Sequence, residues 1–307
     1  MVRLIDGREP RPNRVGPAML LAFAMVSVLA STADADDPHS LTYRNVVVLQ
    51  GNPILLRDIV SLDYRYRVYE SASPYLRNNY LGFALRPVLS PGFARIGGGV
   101  EIAPASVVRL GLSWEQVTFF GTFDQLQSFP EHVDDYSDSG LGARGDAEEN
   151  YAATGTDIAA SALVQNRFGP FIVRDLFELH RVKYDLRTGD DFFYDPVLDM
   201  LLAEQGWAFS NDLDVLYISP VGLIAGVRYS MVKAFYSNAA SDPNGPSHRL
   251  GPSLSYVVFQ NPGAAFDSAT IFVLVNWWLK HRFRTGEDVA GAVPFLSVGF
   301  SFTGELL

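Results

Sequence analysis

The chain is 307 residues long, carries a formal net charge of −10 and contains no cysteine. The negative charge argues against nucleic-acid binding, which usually needs a basic patch. The absence of cysteine excludes disulfides, thiolate chemistry and cysteine-based metal sites. Aromatic residues make up 13% of the chain, and a composition rich in Phe, Tyr and Val favours strands over helices.

The N-terminus has the pattern of a secretory signal peptide. Four arginines fall within the first 14 residues, an apolar run covers residues 15–30, and small residues ending in Ala-Asp-Ala follow. A basic region, a short apolar stretch and an A-x-A motif define such a signal. The apolar core is too short for a comfortable transmembrane helix. We therefore expect residues 1–35 to be removed, with cleavage after Ala35 preferred to cleavage after Ala30 or Ala33.

The first strands of the mature chain are predicted from alternation. Residues 60–68 place Leu62 and Tyr64 on one face, with Asp63 and Arg65 on the other, which is the period of a strand with one apolar face. Residues 79–89 show a similar pattern. The segment 36–55 is an N-terminal stretch in which residues 41–50 form a possible first strand.

Amphipathic strands then follow in pairs towards the C-terminus. Between them stand turn signals such as Phe168-Gly169-Pro170 and Asn261-Pro262-Gly263. The predicted strands cover approximately residues 93–102 and 107–120, 157–166 and 170–185, 207–217 and 221–231, 250–258 and 269–279, and 294–302.

The connections between these strands alternate in length. Tight turns are predicted near 103–106, 167–170, 218–221 and 261–266. Longer polar links are predicted near 121–156, 187–205, 237–248 and 284–292. This asymmetry is typical of transmembrane barrels, which have short periplasmic turns and long extracellular loops. Aromatic residues such as Trp114 and Trp207 gather where strands meet loops, as in the girdles of such barrels.

The last strand carries the most specific pattern. Leu296, Val298, Phe300 and Phe302 share one face, and small residues occupy the other. A large aromatic almost at the end of such a strand resembles the C-terminal assembly signal of bacterial outer-membrane β-barrels. It departs from that signal because residues 303–307 follow the aromatic.

The resemblance implies an all-β fold, an antiparallel transmembrane β-barrel. We expect the barrel over residues 56–303 and a C-terminal tail at 304–307. Twelve strands are favoured and ten come next, since bacterial single-chain barrels prefer even numbers. The resemblance further implies a monomer in the outer membrane of a Gram-negative bacterium, with outer-membrane lipid and the barrel-assembly machinery as partners.

The face opposite the apolar one carries charges of both signs. These side chains are expected to line the barrel interior, because Arg or Lys facing lipid costs about 2–4 kcal/mol near the membrane midplane. The predicted pore-lining residues are Arg65, Arg67, Arg86, Arg109, Glu115, Arg174, Glu178, Asp212, Asp214, Arg228, Lys280 and Arg282. A water-filled pore and an interior packed by ion pairs both agree with this set.

Two loops show further patterns. Residues 124–157 contain nine carboxylates, which fit no EF-hand spacing, so a solvated charged loop is expected. In the loop 187–205, Asp195-Pro196 followed by apolar residues and Gly206 predicts a short helix that folds against the pore mouth.

No cofactor signature is present, and the local pairings Ser247-His248 and Asp212 with Asp214 form no catalytic motif. The sequence thus favours a non-enzymatic, porin-like channel for small solutes. The alternatives are a structural or surface-interaction barrel without transport and, after it, a soluble periplasmic β protein or an outer-membrane hydrolase.

Overall fold

The computed structural model describes residues 38–236, 242–286 and 293–307. The predicted signal peptide, its cleavage site and part of the links 237–248 and 284–292 lie outside these ranges. Within them, no helix is long and apolar enough to cross a membrane.

Strands account for most of the described chain, together with one short helix. The elements are β1 His39–Gly51, β2 Leu55–Tyr66, β3 Tyr80–Leu85, β4 Val88–Leu89, β5 Phe93–Ala105, β6 Val108–Phe120, β7 Ser128–Phe129, α1 Asp138–Asp146, β8 Ala152–Phe168, β9 Phe171–Tyr184, β10 Phe192–Asp195, β11 Met200–Ala203, β12 Trp207–Ile218, β13 Leu223–Phe235, β14 Ser247–Gln260, β15 Ser268–Lys280 and β16 Phe295–Glu305.

The large sheet is antiparallel throughout and closes on itself. Its order is β1-β16-β15-β14-β13-β12-β9-β8-β6-β5-β3-β2, and β1 also pairs with β2. The short strand β4 continues β3 between β2 and β5, so the wall has twelve strands. The predicted antiparallel barrel of twelve strands is confirmed, and its first strand, β1, lies within residues 36–55.

The seam between β1 and β16 completes the wall. Its ladder runs from Thr42 opposite Glu305 to Gly51 opposite Leu296. Because β1 and β16 each pair with a neighbour on both sides, the closed wall leaves neither of them as an unpaired edge.

Alternation of side chains separates the two surfaces of the wall. In β16, Leu296, Val298 and Phe300 are 40–45% exposed, whereas Ser297 is fully buried. In β6, Leu110, Leu112 and Trp114 likewise face outward. The outer surface is therefore an apolar belt, while polar and small side chains point into the lumen.

The two rims of the barrel differ. One rim, here called the short-turn rim, carries the connections 106–107, 169–170, 219–222 and 261–267. The opposite, long-loop rim carries the connections 121–151, 185–206, 236–246 and 281–294. From β5 onward the lengths alternate as predicted. Before β5 they do not, since 52–54 and 90–92 are short at the long-loop rim and 67–79 is longer at the short-turn rim.

A second, small sheet is formed by loop segments in the order β11-β10-β7. The prediction of a short helix in the loop 187–205 is wrong, because this loop forms the β10–β11 hairpin. Asp195 does cap backbone amides, since its carboxylate accepts hydrogen bonds from the backbone amides of Val197 and Leu198 at 2.8 and 3.0 Å. These amides belong to the turn of a hairpin and not to the first turn of a helix. The observed helix, α1, lies in the acidic loop, where none was predicted.

Candidate functional site

The small sheet of β7, β10 and β11, with the turn 196–199, sits in the long-loop end of the barrel and is here called the plug. Phe193, Met200 and Leu202 of the plug are buried in one apolar cluster with inward-facing side chains of seven wall strands. The rings of Phe193 and Tyr184 of β9 lie 4.2 Å apart between centroids. Apolar side chains thus fill this end of the lumen and pack as in the core of a soluble protein.

The acidic loop covers the plug from outside. Its residues Tyr136 and Leu141 are buried with Phe129, Tyr194 and Leu201 in a second apolar cluster. The expectation of a solvated charged loop is therefore wrong for this part of the segment, because α1 and the residues before it pack on the plug.

One arginine in the connection between β15 and β16 ties four connections together. Arg284 donates to both carboxylate oxygens of Asp199 at 2.5 and 2.9 Å, and to both of Asp138 at 2.9 and 3.0 Å. It also donates to the side-chain carbonyl of Asn52. These residues come from the loops 281–294, 185–206, 121–151 and 52–54. We call this group, with His281, the latch.

The inner side of the latch is buried. The side chains of Arg284 and Asp199 are 5% and 2% exposed. Burial alone would raise the pKa of Asp199, but the hydrogen bonds and charge of Arg284 outweigh it and hold that pKa below its usual value. Burial lowers the pKa of His281, whose Nε2 lies 2.9 Å from the carbonyl oxygen of Asp199. The tight arrangement therefore favours an ionised Asp199 beside a neutral His281.

A second polar contact joins the plug to the wall. Asp195, at the end of β10, lies 3.4 Å from Arg95 of β5. Arg95 is also 3.7 Å from Glu115 and from Asp157, and Asp157 binds Nδ1 of His180 at 3.0 Å. The plug is thus held in the lumen by charge as well as by apolar packing.

Part of the lumen wall is packed by its own ion pairs. Arg228 donates to both oxygens of Asp214 at 2.7 and 2.8 Å and to Asp212 at 3.3 Å. The side chains of Arg228 and Asp214 are 3% and 0% exposed, and Arg174 is as deeply buried. These buried ion pairs therefore occupy this side of the lumen.

The charged side chains beside β2, β3, β5 and β6 are less deeply buried than Arg228 and Asp214. Here Glu101 accepts from Arg86 at 2.5 Å, lies 3.8 Å from Arg109, and accepts from the hydroxyl of Tyr80. The Arg65 guanidinium lies 4.8 Å from the centre of the Tyr80 ring. The side chain of Arg86 is 33% exposed. We call Arg65, Arg86, Arg109 and Glu101 the basic lumen patch.

Most of the predicted pore-lining residues lie on inward faces. These are Arg65, Arg86, Arg109, Glu115, Arg174, Glu178, Asp212, Asp214 and Arg228. Arg67 follows the end of β2, and Lys280 ends β15 with an exposed side chain. Arg282 lies in the loop beyond, where it donates to the carbonyl oxygens of Val133 and Asp134. Phe300 and Phe302 face outward on β16.

No sequence pattern indicates the latch. Arg284 and Asp199 come from separate loops, and neither belongs to a motif or to an alternating strand. Their approach depends on how the loops fold inward, which no local pattern records. In the described ranges, no cluster of three His, Asp or Glu side chains is arranged to hold a metal ion.

Comparison with known proteins gives fold-level likeness only. No protein-family model and no curated protein sequence matches the chain. The translocator domain of the autotransporter NalP from Neisseria meningitidis aligns over 89% of this chain and 90% of its own, with 8% identity and a TM-score of 0.43. The COG4313 outer-membrane channel from Pseudomonas putida F1 aligns over 87% and 94%, with 9% identity and a TM-score of 0.38.

CdiB from Acinetobacter baumannii aligns over 88% of this chain with 8% identity and a TM-score of 0.40, and the chain spans 60% of CdiB. At such scores the likeness carries no weight of its own. The closed antiparallel wall, its outward apolar belt and its polar lumen define the class directly: the chain has the fold of a transmembrane β-barrel.

Proposed function

We propose that this barrel is a passage for small solutes that the plug keeps closed until the latch releases. The observation that carries the proposal is the hairpin β10–β11, a loop-borne element packed inside the lumen. Two ion pairs, Arg284 with Asp199 and Arg95 with Asp195, hold it there, together with hydrogen bonds such as that from the Tyr236 hydroxyl to the carbonyl oxygen of Leu201. A hairpin borne on a long loop can leave the lumen without breaking the wall, since no wall strand depends on it for its ladder.

The side of the lumen that carries the basic lumen patch supports a route for solutes. The basic lumen patch faces this space with partly exposed arginines, and it lies on the strands nearest the short-turn rim connection 67–79. Charged rings of this kind set selectivity in channels. A porin-like role therefore suits the part of the lumen between the plug and the short-turn rim, once the plug moves.

The proposal includes the route to the membrane. The chain is exported to the outer membrane of a Gram-negative bacterium, residues 1–35 are cleaved, and the barrel-assembly machinery inserts a monomer among outer-membrane lipids. The role involves no catalytic step.

A structural barrel without transport is the second candidate. The buried pairs of Arg228 with Asp214 and Asp212 favour it, because they fill one side of the lumen with ion pairs. In that case the plug would complete a solid interior rather than gate a passage.

Single-channel conductance in planar bilayers separates the two candidates. Arg284→Ala leaves the Asp199 carboxylate buried without its cation, and breaking a buried pair in this way costs about 3–5 kcal/mol. We expect the wild type to be closed for most of the time and Arg284→Ala to show frequent openings. Arg187→Ala is the matched control, since Arg187 lies in the same loop as the plug but its ion pairs are more exposed.

The readings are decisive provided that each variant migrates as a folded barrel before boiling. If neither wild type nor Arg284→Ala conducts, the structural barrel replaces the gated passage. If Arg187→Ala opens as often as Arg284→Ala, the latch has no special part in closure.

A further inference from the structure

In the part of the wall that the structure describes, outward-facing Arg and Lys side chains gather at one place. In the described wall strands, alternation turns three basic side chains outward: Arg181 and Lys183 of β9 and Lys233 of β13. All three lie near the long-loop rim. This grouping is unusual for a chain whose net charge is −10.

The strand order brings the three cations together around β12. Trp207 of β12 stands opposite Arg181 on one side and Phe235 on the other, and Phe209 stands opposite Lys233. Neighbouring strands are about 4.8 Å apart, so β9 and β13 are separated by about 10 Å. Long side chains from both strands therefore reach the same ligand above β12.

Aromatic rings accompany these cations. The Arg181 guanidinium lies 5.4 Å from the Trp207 ring centre, and the Lys233 ammonium lies 5.4 Å from that of Phe235. Both rings are about half exposed. Exposed aromatics at the end of an apolar belt mark the level of the lipid headgroups.

The three cations are not neutralised by carboxylates of the part of the chain that the structure describes. None of Arg181, Lys183 and Lys233 makes an ion pair with a carboxylate in the described part of the chain. The exposed Lys280 of β15, which stands opposite His248 of β14, adds a further positive charge along the rim. A charge at headgroup depth that lacks an internal partner suits an anionic group of the lipid.

We propose that Arg181, Lys183 and Lys233, with Trp207, form a binding site for the phosphate of a membrane lipid headgroup. The cations contact the phosphate oxygens, and Trp207 packs beside the lipid where headgroup meets acyl chain. The site faces the leaflet at the long-loop rim. It depends only on the barrel spanning a membrane, so it stands whether or not the lumen conducts.

The test uses the full-length folded barrel in phosphatidylcholine vesicles, with and without diphosphorylated lipid A. Native mass spectrometry after detergent extraction counts the lipid A that remains bound. The variant is Arg181→Gln/Lys183→Gln/Lys233→Gln. The control, Arg77→Gln/Arg167→Gln, removes exposed positive charge away from this site.

We expect the triple variant to bind lipid A about a hundredfold more weakly, since each cation near an anionic surface contributes a few-fold to about tenfold. The control should bind as the wild type does, and Arg181→Lys should retain most of the binding. Gel migration before and after boiling verifies that each variant is folded.

Equal lipid A retention by the wild type and the triple variant would overturn the proposal. So would full competition by inorganic phosphate at matched concentration, because the site would then recognise a free anion rather than a lipid. Loss of binding in both the triple variant and the control would point to overall charge, which also contradicts a built site.

Discussion

At the scale of single residues, the latch is the most informative feature. The guanidinium of Arg284 serves two carboxylates with paired hydrogen bonds, a geometry that arginine provides and lysine does not. Because Asp199 is buried and Asp138 is mostly exposed, the contact with Asp199 contributes most of the stability. This buried ion pair between two loops thus helps to hold the plug in the lumen, beside the Arg95–Asp195 contact and the apolar packing of the plug.

The latch should weaken as the pH falls. The pKa values of Asp199 and His281 are both lowered in the folded latch. Each group therefore binds more protons when the latch is open than when it is closed, so stability is lost as acid protonates them. For His281 the loss begins below its ordinary pKa of about 6.5, and for Asp199 it follows at lower pH.

Hydrogen exchange of the amides in residues 192–203 measures this effect. After correction for the intrinsic rate, protection should decrease from neutral pH to pH about 5. In His281→Gln the decrease should shift to lower pH. A protection profile without pH dependence in the wild type would contradict the assignment.

A second residue-scale prediction tests which face meets the lipid. Leu110 is 46% exposed on the outer surface of β6, and Arg in its place would cost about 2–4 kcal/mol in the apolar belt. We expect Leu110→Arg to lower the assembled fraction on heat-modifiability gels, and Leu110→Met to leave it unchanged. Normal folding of Leu110→Arg would mean that the two faces are exchanged.

At the scale of elements, what the sequence could predict depends on where an element packs. Alternation identified the wall strands, because each has lipid on one side and lumen on the other, and this difference repeats every second residue. The plug hairpin is buried on all sides, so Phe193, Tyr194, Leu201 and Leu202 show no alternation. A capped apolar run of that kind resembles a helix, and only the tertiary packing decides otherwise.

The seam strand β16 carries the next prediction. Phe302 lies opposite Asn45 and packs near Phe266, Phe300 and Tyr43 on the outer surface. Phe302→Asp places a carboxylate beside this aromatic group and should sharply lower the assembled fraction. Phe302→Leu keeps an apolar contact and should assemble nearly normally. Similar yields of the two variants on gels before boiling would remove β16 from any role as an assembly signal.

Two polar pairs interrupt the outer apolar face of the wall. The Asn45 amide donates to Asp58 at 2.5 Å across β1 and β2, and Asn211 donates to Asp175 at 2.5 Å across β9 and β12. Asn45→Val leaves Asp58 without its donor and should destabilise the barrel by about 1–3 kcal/mol, whereas replacing both residues by Val should restore most of that loss. Urea unfolding in vesicles measures the free energy of unfolding of the two single variants and the double variant. If the effects of the two single substitutions simply add in the double variant, the two side chains do not interact.

At the scale of the whole molecule, the charge of the chain and the charge of the basic lumen patch differ in sign. The net charge is −10, yet the basic lumen patch sets three arginines against one glutamate. The acidic residues concentrate instead in the loops above the plug. The sequence predicted the alternating charges of the wall. The net charge that a passing ion would meet in the lumen depends on which of these charges form ion pairs, as Arg228 does with Asp214, and the sequence does not show this.

This distribution predicts anion preference in an opened barrel. In the Arg284→Ala background, the reversal potential measured under a salt gradient across the bilayer should have the sign of an anion-selective channel. The reason is that exposed arginines attract anions into the lumen. Adding Arg86→Gln and Arg109→Gln should move that potential towards cations, whereas Arg228→Gln, whose site is buried and paired, should move it much less if the barrel stays folded. If all three substitutions shift the potential equally, the ions travel along the Arg228 side of the lumen, and the packed wall described there must open together with the plug.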